Sequence, residues 1–152
     1  MNDITLKASL YEFCREFIGN RIKRIVLQMK EVQEALESET KSSAGDKHET
    51  GRAMLQLERE KLGHQLAEAE NMGRLLKKVT IVPIKKTASL GSLVKTSKAN
   101  YFLAISAGEY TSAKEKNYCI SLQTPIAKLL LGKTVGGTFD LNGEEIRILG
   151  IS

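Results

Sequence analysis

From Ile18 the apolar residues Ile22, Ile25, Met29, Val32 and Leu36 recur in alternating steps of four and three, the seam of a coiled coil. Arg21, Lys23, Arg24, Lys30, Glu31, Glu34 and Glu37 fill the positions between them, so one face of the helix is apolar and the rest is charged. The pattern reaches back through Leu6, Leu10, Phe13 and Phe17. It predicts one helix of about 35 residues, about 50 Å long at 1.5 Å per residue. A second seam runs through Leu55, Leu62, Leu66, Ala69, Gly73 and Leu76, and no proline interrupts either segment. Between the seams lies SETKSSAGDKHETGRA, in which Ser42, Ser43 and Gly45 supply turn chemistry. Two long helices joined by a short polar connection fold back as an antiparallel hairpin, and the connection becomes an exposed tip at about residues 40–50.

Past Lys77 and Lys78 the pattern changes to short β-rich runs: Val79–Ile84, Leu93–Thr96, Tyr101–Ser106, Tyr118–Leu122, Thr138–Leu141 and Glu145–Ile151. Asn142-Gly143 between the last two is a two-residue hairpin signal. One helix interrupts the strands, with Thr124 as N-cap, Pro125 at the first helical position and Gly132 as the stop. The expected architecture is therefore α+β. An antiparallel coiled-coil hairpin over residues 1–78 precedes a small domain over 79–152, whose mostly antiparallel sheet needs one helix to cover its apolar face.

Charge sharpens this division. Residues 1–78 carry 14 Lys+Arg against 13 Asp+Glu, whereas residues 79–152 carry 9 against 5, so most of the net charge of +5 lies in the second part. Five of the eight aromatic residues and both prolines lie there too. Within the first helix Arg15, Arg21, Lys23 and Arg24 precede Glu31, Glu34, Glu37 and Glu39, making the base of the hairpin basic and its tip acidic. No apolar run approaches the ~20 residues that span a bilayer, and no secretory leader is evident, so a cytoplasmic protein is expected. Cys14 and Cys119 lie in different parts and form no C-x-x-C pair, so both read as small buried hydrophobes.

The candidate chemistry is sparse. Gly132-Lys133-Thr134 has the ending of a phosphate-binding loop, but the position that such a loop needs as glycine is Ala127, inside an apolar helix. Asp46-Lys47-His48-Glu49 admits two accounts. Asp46 and Glu49 suit a capping box that starts the second helix, and both are also hard oxygen donors suited to Mg²⁺ at the end of a hairpin. Two carboxylates do not complete a metal site, so a partner would supply the remaining ligands. His48 has no further His or Cys nearby for zinc. Tyr101 and Phe102 are adjacent in a strand and point to opposite faces, so one is expected in the core and a base-stacking pair is not.

Two stretches resemble a known family. Gly45-Asp46-Lys47-His48-Glu49-Thr50 is similar to the G-D-x-x-E-N tip of the Gre-type (GreA/GreB) transcript-cleavage and transcription elongation factors. The stretch from Ile120 to Lys133, ISLQTPIAKLLLGK, is similar to the I-S-x-x-S-P-I-A-[KR]-x-L-L-G-K stretch of their C-terminal domain. The closing Gly143–Ile151 also resembles their final strand. The resemblance implies that the second domain has an FKBP-like fold and docks on bacterial RNA polymerase at the rim of its secondary channel, with Thr124, Pro125, Ile126 and Lys128 as docking residues.

By the same resemblance the hairpin enters that channel, and Asp46 and Glu49 help the polymerase hold a second Mg²⁺ or orient water for cleavage of backtracked RNA. The protein itself would be no enzyme, would bind no cofactor stably, and would act as a monomer. Arg15, Arg21, Lys23 and Arg24 could contact the nascent RNA 3′ end. After the acidic pair the family continues with Asn, a small residue, Glu and Tyr, where this chain has Thr50, Gly51, Arg52 and Ala53. Those departures define the alternative of a polymerase-binding regulator or inhibitor without cleavage stimulation. A third reading is a plain coiled-coil interaction module.

Overall fold

The computed structural model describes residues 2–82, except 42–45, together with residues 86–112 and 115–152; the side chains of residues 40, 41 and 46–48 are outside the described set. Asn2 starts the first helix, α1 (Asp3–Lys41): its Oδ1 accepts from the Thr5 N–H at 2.8 Å, satisfying one of the donors that a helix start leaves unpaired. The second helix, α2 (Asp46–Lys77), ends with Arg74 and Lys77 in its last turn, where cations suit the helix dipole. By internal contacts the chain divides into two compact units. One is residues 18–72; the other is residues 1–17 with 73–152, so the division falls within the two helices, whereas the sequence suggested a boundary at 78.

The unit 18–72 is a helical hairpin whose core is the expected seam. Ile25, Val32 and Leu36 of α1 pack with Leu62 and Ala69 of α2, and Ile22, Met29, Leu55 and Leu66 flank them. The polar ties across the seam fix its direction. Arg21 reaches Glu68 at 3.9 Å and the Met72 sulfur at 3.7 Å, while Arg59 donates to Gln33 at 3.2 Å. Residue 21 thus meets residues 68–72 and residue 33 meets residue 59, which is antiparallel pairing.

In the other unit six strands form one sheet: β1 (Leu93–Thr96), β2 (Asn100–Ala104), β3 (Gly108–Ser112), β4 (Glu115–Ser121), β5 (Thr138–Leu141) and β6 (Glu144–Ile151), in the order β3-β4-β2-β1-β6-β5. All neighbours run antiparallel except β2 and β4. That parallel pair arises because the chain leaves β2, forms the edge strand β3, and returns as β4 between the two. The short helix α3 (Pro125–Leu130) lies against one face, where Ala127 and Leu130 join Val94, Tyr101, Leu103, Phe139, Ile146 and Ile148 in a core.

The first turns of α1 cover the opposite face. Asp3 pairs with Lys95 at 2.7 Å, and Phe13 packs on Tyr110 with ring centroids 5.2 Å apart. Cys14 meets Cys119, whose thiol is pushed well above its ordinary pKa by that contact and by burial; both cysteines are free. Because both faces are covered, every residue of β2 is buried, and Tyr101 and Phe102 are both core residues rather than one of them.

The expected turn between β5 and β6 is present: Asn142 and Gly143 have φ of 52° and 82°, both in the left-handed region that this hairpin type requires. Two expectations are corrected. Residues 79–82 of the run Val79–Ile84 form no strand, since the Val79 N–H bonds back to Leu76 O at 3.0 Å and Thr80 Oγ1 takes the Val82 N–H at 3.2 Å. Local bonds thereby replace a ladder. Residues 83–85, with Ile84, lie outside the described residues. Conversely β3, absent from the expected strands, is a largely exposed edge strand whose composition, Gly-Glu-Tyr-Thr-Ser, carries no alternation of apolar residues.

Two stability measurements follow from this packing. Leu62, 2% exposed, anchors the hairpin seam, so Leu62→Ala should cost about 2–5 kcal/mol in urea unfolding, whereas Leu57→Ala, at a position 66% exposed, should change stability little. Lys7 is fully buried in α1, with its Nζ donating to Val82 O at 3.3 Å, and desolvation lowers its pKa from 10.5. In the folded chain it releases its proton earlier than in the unfolded chain. Between the lowered value and 10.5 the unfolded state therefore holds more protons, and this residue makes stability rise with pH. Lys7→Met should raise stability at neutral pH and flatten that alkaline rise, as read from melting temperatures across the pH range.

Candidate functional site

Three groups of residues carry the expected chemistry. The first is the turn of the hairpin. Helix α1 ends at Lys41 and α2 begins at Asp46; the turn residues Ser42, Ser43 and Gly45 lie outside the described residues, as do the side chains of Asp46 and His48. Glu49 is exposed in the first turn of α2, and Thr50, Arg52 and Ala53 are exposed after it. A side chain on Gly51 would meet the Glu39 carboxylate, 3.6 Å from where its Cβ would stand, so Glu39 of α1 lies over the start of α2. Among the described residues no group of three or more His, Cys, Asp or Glu could hold a metal ion. Asp46 and Glu49 are donors of the right chemistry for Mg²⁺ but fewer than the near-octahedral set that it demands, so they would be partial ligands at most.

The second group is the start of α3. Thr124 Oγ1 accepts from the Ala127 N–H at 3.3 Å and donates to Ser121 O at 2.8 Å, tying the helix start to the end of β4. Pro125 occupies the first turn, where its missing N–H costs nothing. This capped turn holds Pro125 and Lys128 exposed and Ile126 half-buried. The helix stops at Gly132, whose φ of 80° no side chain favours. Its N–H donates to Ala88 O at 2.9 Å, and Ala88 N–H donates to Lys133 O at 2.9 Å. Those backbone groups are engaged, and with Ala127 buried inside the helix the Gly-Lys-Thr ending forms no phosphate cradle.

Beside this turn lies a feature that the sequence did not disclose. A cavity of about 400 Å³ opens between Ile126 and strands β2 and β4, with Tyr101, Tyr118 and Ile120 among its walls and Lys98 and Lys116 at its margin. The two tyrosines are register partners across the parallel β2–β4 pair and stack with centroids 5.8 Å apart. Burial raises the pKa of Tyr101 above 10.0, so its hydroxyl stays protonated at neutral pH. Tyr101 and Tyr118 are 17 positions apart, and only the parallel crossover brings them together.

The basic residues of α1 form the third group, and they are not equivalent. Arg15 forks onto Glu12, with hydrogen bonds of 2.7, 3.0 and 3.2 Å; the pair lowers the Glu12 pKa and raises that of Arg15. Arg21 is tied to Glu68 and Met72, whereas Lys23 and Arg24 are exposed. Lys95 and Lys98 are likewise paired, with Asp3 and Glu144.

No protein-family model matches the chain, and no curated protein sequence is similar to it. Among solved structures, one titled as that of the transcription factor Gfh1 aligns with 86% of this chain and 92% of its own, at 21% identity and a TM-score of 0.34. At that TM-score the likeness carries no argument. What the coordinates establish is the class of fold: an α+β chain with a long helical hairpin followed by a six-stranded sheet and one helix. Among the described residues no helix is long and apolar enough to cross a membrane.

The cap at Thr124 is the contact that positions the second group. Thr124→Ala should destabilise the protein by about 1 kcal/mol, while Thr124→Ser, which keeps an acceptor for the Ala127 N–H, should recover most of the loss in thermal unfolding.

Proposed function

We propose that the chain is a bacterial transcription elongation factor of the Gre type, which binds RNA polymerase at its secondary channel. The observation that carries this reading is the coincidence of motif and fold. The acidic motif Asp46–Glu49 opens α2 where the hairpin turns back, and the second motif, from Ile120 to Lys133, covers the end of β4 and the whole of α3. Both placements support the reading. The sheet unit docks through the capped start of α3, with Thr124 as the cap, Pro125 and Lys128 exposed and Ile126 at the mouth of the tyrosine cavity.

In this reading Asp46 and Glu49 act as supplementary oxygen ligands. Mg²⁺, when held jointly with the polymerase, supplies Lewis acidity for hydrolysis of backtracked RNA. The chain's own part is to present two carboxylates on a packed pair of helices, which lose little conformational freedom on engagement. Lys23 and Arg24 are the exposed cations that remain for weak, non-specific attraction to RNA phosphate; Arg15 and Arg21 already have partners. The protein works as an accessory factor, as a monomer in the cytoplasm, with no stably bound cofactor.

Arg52 favours a second reading, a polymerase-binding regulator that occupies the channel without promoting cleavage. It stands exposed three residues beyond Glu49, so on a helix the two lie on one face, and a cation beside the carboxylate weakens its pull on Mg²⁺.

Backtracked complexes incubated with Mg²⁺ separate the readings. A cleavage factor shortens the RNA, and Asp46→Asn, which keeps helix-capping ability but binds Mg²⁺ poorly, should slow shortening at least about tenfold, roughly 1.4 kcal/mol of barrier. Unshortened RNA with blocked nucleotide addition would establish the regulator instead.

A further inference from the structure

The first turns of α1 bring the two cysteines of the chain together. Leu6, Leu10 and Cys14 recur at steps of four and are all buried, so this stripe is the side of the helix that faces the sheet. Two contacts show how the helix crosses it: Asp3 pairs with Lys95 of β1, and Phe13 packs on Tyr110 of β3. Lys95, Asn100, Asn117 and Tyr110 are successive register partners across β1, β2, β4 and β3, so they mark one face. Cys119 stands two residues beyond Asn117 on that same face, beside Phe102 of β2. Cys14, next to Phe13, therefore arrives over β4, and its thiol meets that of Cys119 in a hydrogen bond. Both side chains are out of water, and all of these residues belong to one compact unit.

Two small apolar residues would fill this space as well as two thiols; what thiols add is the capacity to bond. Only a thiolate reacts readily with an oxidant. While α1 is docked, the thiol contact and burial hold Cys119 in its protonated form, so the reduced pair is protected. The cover over it is held at the helix start by modest contacts: the Asn2 cap, the Asp3–Lys95 pair and the bond from Lys7 to Val82. A helix end held in this way opens locally at less cost than the whole fold. Each opening admits water and oxidant, and each closing returns the two sulfurs to contact.

We propose that Cys14 and Cys119 form an intramolecular disulfide site, a redox latch by which hydrogen peroxide fixes the first turns of α1 to β4. The thiolate of one cysteine attacks a peroxide oxygen, giving a sulfenic acid and a hydroxide, which takes up the proton that the thiol released. The second thiol then attacks the sulfenic sulfur; the S–S bond forms, the S–O bond breaks, and the hydroxyl leaves with the second thiol's proton as water. In sum the two thiols lose two electrons and two protons, and peroxide becomes two waters. The bridge closes a loop of about 100 residues, a length at which a cross-link restricts the unfolded chain strongly. A small dithiol reverses it by exchange, itself becoming the disulfide. The latch is independent of the polymerase reading, since it uses no residue of the hairpin turn or of α3.

The test treats the reduced full chain with excess hydrogen peroxide under folding conditions until no further thiol is lost, then maps it with trypsin without reductant. Mass spectrometry should find the peptide carrying Cys14, residues 8–15, joined to that carrying Cys119, residues 117–128, with two hydrogens lost. The product should stay a single chain on a denaturing gel and return to two free thiols with dithiothreitol. It should melt at least about 4 °C higher than the reduced chain. Cys14→Ala should show no such rise, which separates the bridge from methionine oxidation. Thiols that survive peroxide, thiols lost without the linked peptide, or bridges between chains would each overturn the proposal. So would a rise that persists in Cys14→Ala, or a bridge that lowers the melting temperature, because the two side chains would then not stand in bonding geometry.

Discussion

The apolar seam between α1 and α2 is the contact on which the proposed role of Asp46 and Glu49 depends. Ile25, Val32, Leu36, Leu62 and Ala69 hold two segments of one chain in fixed antiparallel register. A single helix of this length in water would fray and bend; packed against a partner it stays straight, because most helical stability comes from the buried face rather than from intrinsic propensity. The polar ties across the seam do less. Arg21–Glu68 is long and partly exposed, and Arg59–Gln33 is exposed, so these contacts select register more than they stabilise it.

A comparable constraint organises the sheet unit. Burial of β2 on both faces demands cover on both sides, and the chain supplies it from separate places: α3 on one face and the first turns of α1 on the other. This arrangement accounts for Lys7. A lysine in the covering turns of α1 has its ammonium group removed from water, and a backbone carbonyl is a poor substitute for full hydration. The parallel β2–β4 pair has a second consequence, since it sets Tyr101 beside Tyr118 and so creates the aromatic wall of the cavity.

What could be read from the sequence tracks how local each signal is. The seam, the Thr124 cap with Pro125 after it, and the Asn142-Gly143 turn all follow from short-range periodicity or from residues that force one backbone geometry, and each is present. The strand β3 escaped because an exposed edge needs no apolar alternation. Residues 79–82 of the run Val79–Ile84 misled because β-branched residues also suit an irregular segment whose backbone is satisfied by a hydroxyl, here that of Thr80. The tyrosine cavity was illegible for a different reason: it is made by a crossover, and no pattern along the chain encodes which strands become neighbours. The burial of both Tyr101 and Phe102 was hidden likewise, since strand alternation assigns opposite faces without saying that both are covered.

In the proposed reading, whether the chain promotes cleavage or only occupies the polymerase channel comes down to the electrostatics of a few side chains near the start of α2. Against the Gre-type motif that the tip resembles, Arg52 stands in place of an acid, a local change of two charge units within one helical turn of Glu49. At ~6 Å and an effective dielectric of about 20, one unit charge shifts the energy of another by roughly 3 kcal/mol, and by less where both are exposed to water, as Glu49 and Arg52 are. Glu39 works the other way, placing a carboxylate from α1 over Gly51, 3.6 Å from where a Cβ would stand. Glu39 and Glu49 thus both lie near the start of α2, and Asp46 belongs to its first turn. Replacing Arg52 by glutamate would therefore move the balance toward cation retention without touching the seam or the proposed docking residues, which makes Arg52 the residue at which the two proposed readings diverge.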